Sequence, residues 1–166
     1  ENPLLTVIHT LWVREHNRIC DDLIQTYPNW SDEAIFQEAR RIVIGEIENI
    51  TFNEWLPAIG IHLDKYEGYN PQMHPQIMNI FSASSFRFGH TIINGQIQRL
   101  NSDCSIHESG HARLRDCYFD PASIREKTNN RLEPYFIGMM HQRQQGLDTK
   151  IIDDVRNFLF GKPGEG

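Results

Sequence analysis

Between residues 4 and 24 the apolar side chains Leu4, Leu5, Ile8, Leu11, Trp12, Ile19, Leu23 and Ile24 recur mostly at steps of three and four. That spacing lines one face of a helix, so the pattern predicts a helix here. The run Tyr27-Pro28-Asn29-Trp30 breaks it. Ser31 then reads as an N-cap, because its short side-chain oxygen can accept a hydrogen bond from a first-turn N–H that has no partner inside the helix. Asp32 and Glu33 follow at the positive end of the helix dipole. A second helix is predicted from there, with Ile35, Ala39, Ile42, Val43, Ile47 and Ile50 on its inner face, ending before Pro57-Ala58-Ile59-Gly60.

Residues 60–74 hold Gly68, Tyr69, Asn70 and Pro71 and read as a loop, after which Pro75 suits the first turn of a third helix that carries His90. Residues 101–122 are polar, rich in Gly, Ser, Asp and His, and show no sustained period, which predicts a long surface connection. Shorter helices are expected over 123–128, 132–143 and 149–160, before Gly161-Lys162-Pro163-Gly164. No stretch alternates with a period of two. The predicted class is mainly α, and residues 1–166 are expected to form a single, partial domain.

Composition narrows the function classes. With 39% hydrophobic and 23% charged residues the chain is neither disordered nor collagen-like, and no apolar run is long enough for a transmembrane helix. A net charge of -6 opposes binding to a phosphate backbone, so neither nucleic acid nor a membrane segment is expected as a partner. The first residues, Glu1-Asn2-Pro3-Leu4-Leu5, lack an initiator Met and a signal-type core, as expected of a piece of a longer chain. Cys20, Cys104 and Cys117 fit no C-x-x-C metal spacing. A bridge between Cys104 and Cys117 is expected across the polar stretch, leaving Cys20 as a small core residue.

Two stretches carry candidate chemistry. The first is His9-Thr10-Leu11-Trp12-Val13-Arg14-Glu15-His16-Asn17-Arg18, followed by Gln37-Glu38-Ala39-Arg40-Arg41-Ile42-Val43; the second is Phe86-Arg87-Phe88-Gly89-His90-Thr91. On an α-helix, Ala83, Phe86, Ile93 and Ile97 would share the face of His90 and surround its imidazole with apolar or small side chains. A neutral imidazole so placed can serve as a metal ligand, and Gly89 leaves the space beside it clear of a side chain. The alternative is a hydrogen-bonded core histidine. Arg87 lies one turn earlier, either as a partner for a carboxylate of the ligand or as an exposed helix arginine. The charged run 14–18 reads as a polar network with Glu38 and Arg41. His9 and His16 share a face, but no third ligand joins them at helical spacing.

In this order and at this separation, the two stretches resemble the animal haem peroxidases, the superfamily of myeloperoxidase, thyroid peroxidase and peroxidasin. The resemblance is dense to about residue 100 and thin afterwards, where Asp116-Cys117-Tyr118-Phe119 is its main echo. It implies the central portion of an all-helical peroxidase catalytic domain, truncated at both ends. His90 would be the proximal ligand of haem b iron, and Arg87 would pair with a haem propionate. Glu1, eight residues before His9, matches the glutamate that forms an ester with a haem methyl group. Asn2 stands where myeloperoxidase has a methionine, so that enzyme's sulfonium link is not expected.

The resemblance further implies hydrogen peroxide as oxidant and a halide, phenolic or tyrosyl substrate, with a role in the response to oxidative stress. It places no catalytic residue in this chain. The distal histidine, the catalytic arginine and the calcium ligands belong upstream of Glu1, and the asparagine that accepts the second proton of the proximal histidine belongs beyond Gly166. The isolated chain is therefore expected to be inactive and to need the rest of the domain as its partner. Secretion is expected as well, because Asn29-Trp30-Ser31 and Asn49-Ile50-Thr51 both fit the N-glycosylation sequon.

Two other readings compete. His107-Glu108-Ser109-Gly110-His111 fits H-E-x-x-H, in which two histidines one helical turn apart bind zinc and the glutamate activates water. That motif needs a regular helix, which Gly110 and the polar run before it disfavour. The other is a non-catalytic, peroxidase-like adhesion or scaffold ectodomain.

Overall fold

The computed structural model describes residues 2–120 and 132–159. Glu1, the helix expected over 123–128 and the 161–164 breaker lie outside the described residues. The chain divides into two compact units, His9–His74 and a second made of Glu1–Ile8 with Pro75–Gly166. The mainly helical class holds.

Helix α1 spans Pro3–Thr26, so it begins in one unit and ends in the other. Asn2 caps it, its Oδ1 accepting from the backbone N–H groups of Leu4 (3.0 Å) and Leu5 (3.1 Å). Pro3 follows at the first helical position, where its missing N–H costs nothing.

In the unit His9–His74, α1 is followed by α2, Asp32–Ile50. The N-cap is as predicted, with Ser31 Oγ accepting from Ala34 N at 3.3 Å. Tyr27 and Trp30 stack at 4.1 Å across the turn between the helices. Ile19, Ile35 and Ala39 are buried, whereas Ile47 and Ile50 of the expected inner face are exposed. Among the described residues, the ion pairs of the charged run do not reach Glu38 and Arg41, although Glu15, His16 and Glu38 are half-buried. Arg18 pairs within its own helix with Glu15 and Asp22, and Arg41 with Glu38 in α2. These exposed, local pairs add little to stability. His16 is the polar link between the helices, its Nε2 lying 3.3 Å from the Phe36 carbonyl.

The helical path does not stop before Pro57. It passes through a π-helical turn, Thr51–Trp55, into the short helix α3, Leu56–Ala58, and ends at Gly60 with φ +83°. Pro57 has no N–H to donate to the carbonyl four residues back, and the wider turn ahead of it accommodates the ring.

In the other unit the expected third helix is two shorter pieces, α4 at Asn79–Ala83 and a 3₁₀ helix at Ser85–Ile92. Ser82, Ser84, Ser85 and Gly89 are poor α-helix formers, and Ser84 leaves helical geometry at φ -127° and ψ -78°. The expected surface connection is also more ordered than its composition implied. It holds the loop and second strand of a β-hairpin whose first strand precedes it: β1 (Gln96–Ile97) is antiparallel to β2 (Ala112–Arg113), with Ile97 opposite Ala112 and a further bridge from Leu100 to Ile106. Strands of two residues are too short to show alternation. Arg99 secures the loop, donating to the carbonyls of Gly110 (2.7 Å) and Ser109 (2.6 Å) while its guanidinium lies over the Tyr135 ring.

A 3₁₀ turn, Leu114–Asp116, follows β2, and then come α5 (Glu133–His141) and α6 (Asp153–Arg156). The helix expected over 149–160 is thus a single turn among the described residues. Helix α5 supplies what a third strand would. Its Pro134 carbonyl accepts from Leu100 N, and the side chain of Gln142, which caps the helix, donates to Gln96 O (2.6 Å) and accepts from Gln98 N (3.1 Å). Val7, Ile97, Leu114, Cys117 and Tyr135 form the buried core of this unit.

Cys104 and Cys117 are free thiols, and the expected bridge between them is absent. Cys117 faces the core, where burial raises its pKa and keeps it protonated. Cys104 sits at the loop tip in the left-handed region (φ 66°), with Sγ 3.4 Å from His141 Nε2.

Candidate functional site

His90 lies near the end of the 3₁₀ helix Ser85–Ile92 and is half-buried. The tighter helix changes which residues accompany it. With three residues per turn, positions three apart eclipse, so Arg87 and His90 come into line one turn apart. Phe86, expected on the histidine's face, is instead 61% exposed. Ile93 and Ile97 line one cavity with His90, although not as members of its helix: Ile93 is extended (φ -76°, ψ 135°) and Ile97 belongs to β1.

His90 opens onto a cavity of about 590 Å³ that lies within one unit of the chain. Its apolar wall comes from Leu4, Leu5 and Ile8 of α1, from Ile93 and Ile97, and from Leu114, Met139 and Val155. The amides of Asn2, Asn94, Gln96, Gln142 and Gln144 supply its polar groups. No Asp, Glu, Lys or Arg lines it among the described residues. Tyr118 lines it too, with its hydroxyl pKa raised chiefly by burial.

The segment that carries His90 is tied down just beyond it. Ile92 O accepts from Gln145 N (3.0 Å), and Asn94 Nδ2 donates to Arg143 O (2.8 Å). Arg87 is exposed, with its Nε 3.5 Å from the Ser82 carbonyl and its backbone N–H bonded to Ser84 O. Glu1, the third residue singled out in the sequence, is not described, but Asn2 and Leu4 after it reach the same cavity.

The zinc-hydrolase geometry is not formed. His107 to Gly110 is a turn, not a helix, and Gly110 has φ +65°. The His107 ring accepts from Ser109 N and the His111 ring from Arg99 N, both through Nδ1. No group of three or more His, Cys, Asp or Glu side chains suited to a metal occurs among the described residues.

His90, singled out in the sequence, lines this cavity, and so do Leu4, Leu5 and Ile8 of the predicted apolar face of α1. Tyr118, Met139, Gln142 and Val155 line it as well and were not singled out as site residues; α5 packs on β1 and α6 on the 3₁₀ turn Leu114–Asp116.

Comparison with known proteins agrees with the motif reading. The family model "Animal haem peroxidase" matches residues 1–166. Peroxinectin A of Dictyostelium discoideum is 34% identical over 166 residues, covering 100% of this chain and 30% of that protein. Thyroid peroxidase of Sus scrofa is 37% identical over 168 residues, covering 96% of this chain and 18% of that protein. Among solved structures, Peroxidase A from Dictyostelium discoideum superposes with a TM-score of 0.90 at 34% identity, covering 100% of this chain and 31% of that one. The chain thus spans less than a third of the length of these relatives. By family model, sequence identity and fold alike, it belongs to the animal haem peroxidase family.

Proposed function

We propose that this chain is the central portion of a peroxidase domain and supplies the proximal half of its haem site, with His90 as the axial ligand of iron. The observation that carries the proposal is the placement of a half-buried imidazole against a large, mostly apolar cavity. The residues present fit haem b. Apolar walls suit the faces of a porphyrin, a neutral imidazole suits iron, and a guanidinium one 3₁₀ turn away suits a propionate.

In this reading the protein's own groups bind and orient. His90 would hold the iron, and the ties from Gln145 to Ile92 and from Asn94 to Arg143 hold the segment just beyond it. Arg87, exposed and with its Nε at 3.5 Å from the Ser82 carbonyl, would pair with a propionate. Glu1 is proposed as the site of an ester to a haem methyl group. Haem supplies the chemistry: reduction of hydrogen peroxide and oxidation of a halide, phenolic or tyrosyl substrate. Distal proton transfer and calcium binding belong to other parts of the domain, so the isolated chain is inactive. Titrating haem into the complete domain should give a Soret band that saturates at one haem per chain. Failure to develop the band would favour a non-catalytic scaffold.

The same proposal includes secretion. No helix among the described residues is long and apolar enough to cross a membrane. Asn29 is exposed in the turn between α1 and α2, open to a glycosyltransferase, whereas Asn49 lies within α2 and its side chain accepts from Asn53 Nδ2 (2.7 Å). Expressed in a secretory host, the protein is expected to lose mass on glycosidase treatment, and Asn29→Gln to remove most of that loss. An unchanged mass counts against secretion.

A further inference from the structure

An ion pair between a buried carboxylate, Asp154, and a half-buried guanidinium, Arg115, stands beside the His90 cavity. Asp154 is only 8% exposed. Its Oδ1 accepts from Arg115 N (3.1 Å) and Arg115 Nε (2.7 Å), and its Oδ2 from Arg115 Nη2 (3.1 Å). The guanidinium lies 4.2 Å from the centre of the Phe158 ring. Gly95 completes the arrangement: a Cβ there would come within 3.1 Å of Asp154 Oδ2, and its carbonyl accepts from Leu114 N at 2.8 Å. Three segments therefore meet at the pair, namely the 3₁₀ turn Leu114–Asp116, helix α6 with the residues after it, and the approach to β1. On each, the neighbouring residue faces the cavity. Leu114 adjoins Arg115, Val155 adjoins Asp154, and Asn94 adjoins Gly95.

The hydrogen bonds from Arg115 hold the Asp154 carboxyl below the usual range, so the pair is ionised at neutral pH. Holding walls together does not require such a pair, since withdrawing the Asp154 carboxylate from water is costly even with Arg115 left 27% exposed, and apolar side chains could pack there without that cost. A bidentate fork adds something else, which is a fixed distance and angle between the segments it joins.

We infer that Arg115 and Asp154 are positioning residues for His90, setting the cavity walls so that its imidazole meets haem iron in one geometry. This rests on the reading of His90 as the iron ligand. The test uses the complete haem-loaded domain with Asp154→Asn, Arg115→Leu and Arg115→Lys, reading haem affinity, the electron paramagnetic resonance signal of the ferric iron, and the thermal midpoint. Asp154→Asn and Arg115→Leu are expected to weaken haem binding several-fold, less than the about tenfold that losing a direct orienting partner of a metal ligand costs, because they act through the cavity walls, and to shift the ferric signal. Arg115→Lys, which keeps the charge but not the fork, should shift the signal in the same direction by less. Glu38→Gln, which breaks an exposed pair on α2, should leave it unmoved.

If Arg115→Leu does not fold, Arg115→Lys decides. A folded Asp154→Asn or Arg115→Lys protein with wild-type haem affinity and ferric signal overturns the inference, whatever its thermal midpoint, because the pair would then be structural only. His90→Ala run in parallel separates the two ideas. If that variant keeps the wild-type signal, the ligand reading fails and takes the positioning role with it. If it loses the signal while Asp154→Asn keeps it, the positioning role alone fails.

Discussion

Replacing His90 with Ala in the complete domain is expected to lower peroxide-dependent oxidation by more than about 100-fold and to loosen haem, because the change removes the iron's axial bond itself rather than a group that merely orients it. The expectation follows from where the residue stands. His90 is the histidine that lines the cavity among the described residues, while His107 and His111 have their Nδ1 atoms engaged with backbone N–H groups of the hairpin loop. Ala at either of those positions should leave the Soret band and turnover near wild-type values. Arg87→Ala should be intermediate, with haem held more loosely and iron chemistry largely kept, since a propionate partner lies outside the bond-making centre. Stopped-flow oxidation of a phenol, with the Soret band recorded on the same samples, resolves the three cases. A His90→Ala protein that keeps its band and its turnover, beside a His107→Ala protein that loses activity, would sink the peroxidase assignment for this site.

How much of this was legible beforehand depended on how locally each feature is encoded. The first two helices were readable because their apolar residues repeat over five or more turns and Ser31 supplies a cap whose partner, Ala34, is three residues away. His90 was readable because its neighbours in sequence carry the family pattern. Its helix type was not. Whether the segment from Pro75 is α or 3₁₀ depends on the energy of a few serines and one glycine, differences smaller than those tertiary contacts impose. The hairpin was hidden for a related reason: its regular strands have two residues each, and its order comes from Arg99 and Gln142, side chains whose partners lie between ten and forty-six residues away. The cysteine pairing failed on direction. Cys117 follows the 3₁₀ turn into the core, whereas Cys104 reaches outward to His141. Spacing along the chain carries no information about either direction.

Gly138 in α5 is expected to tolerate no side chain at all. On helix propensity alone, Gly138→Ala should stabilise by about 1 kcal/mol, since glycine is a poor helix former. The packing argues the other way. Gly138 is buried where α5 crosses β1, and a Cβ built on it would collide with the Gln98 carbonyl oxygen, with the carbonyl carbon at 2.6 Å and the Gln98 Cβ at 3.2 Å. The obstacle is backbone, held in place because Gln98 N donates to the Gln142 side chain and Leu100 N to the Pro134 carbonyl. No rotamer change can relieve it, so the helix must lift off the hairpin. Overpacking of this kind costs roughly 3 kcal/mol or more when backbone must move, which exceeds the propensity gain. The net loss, at least about 2 kcal/mol, corresponds to a fall of several degrees in thermal midpoint for a domain of this size. Lifting α5 would also displace Met139 and Gln142 from the cavity wall, so haem affinity should fall together with stability. Differential scanning calorimetry and haem titration on the same Gly138→Ala preparation check both. A variant as stable as the wild type would show that α5 does not dock on β1 through this glycine.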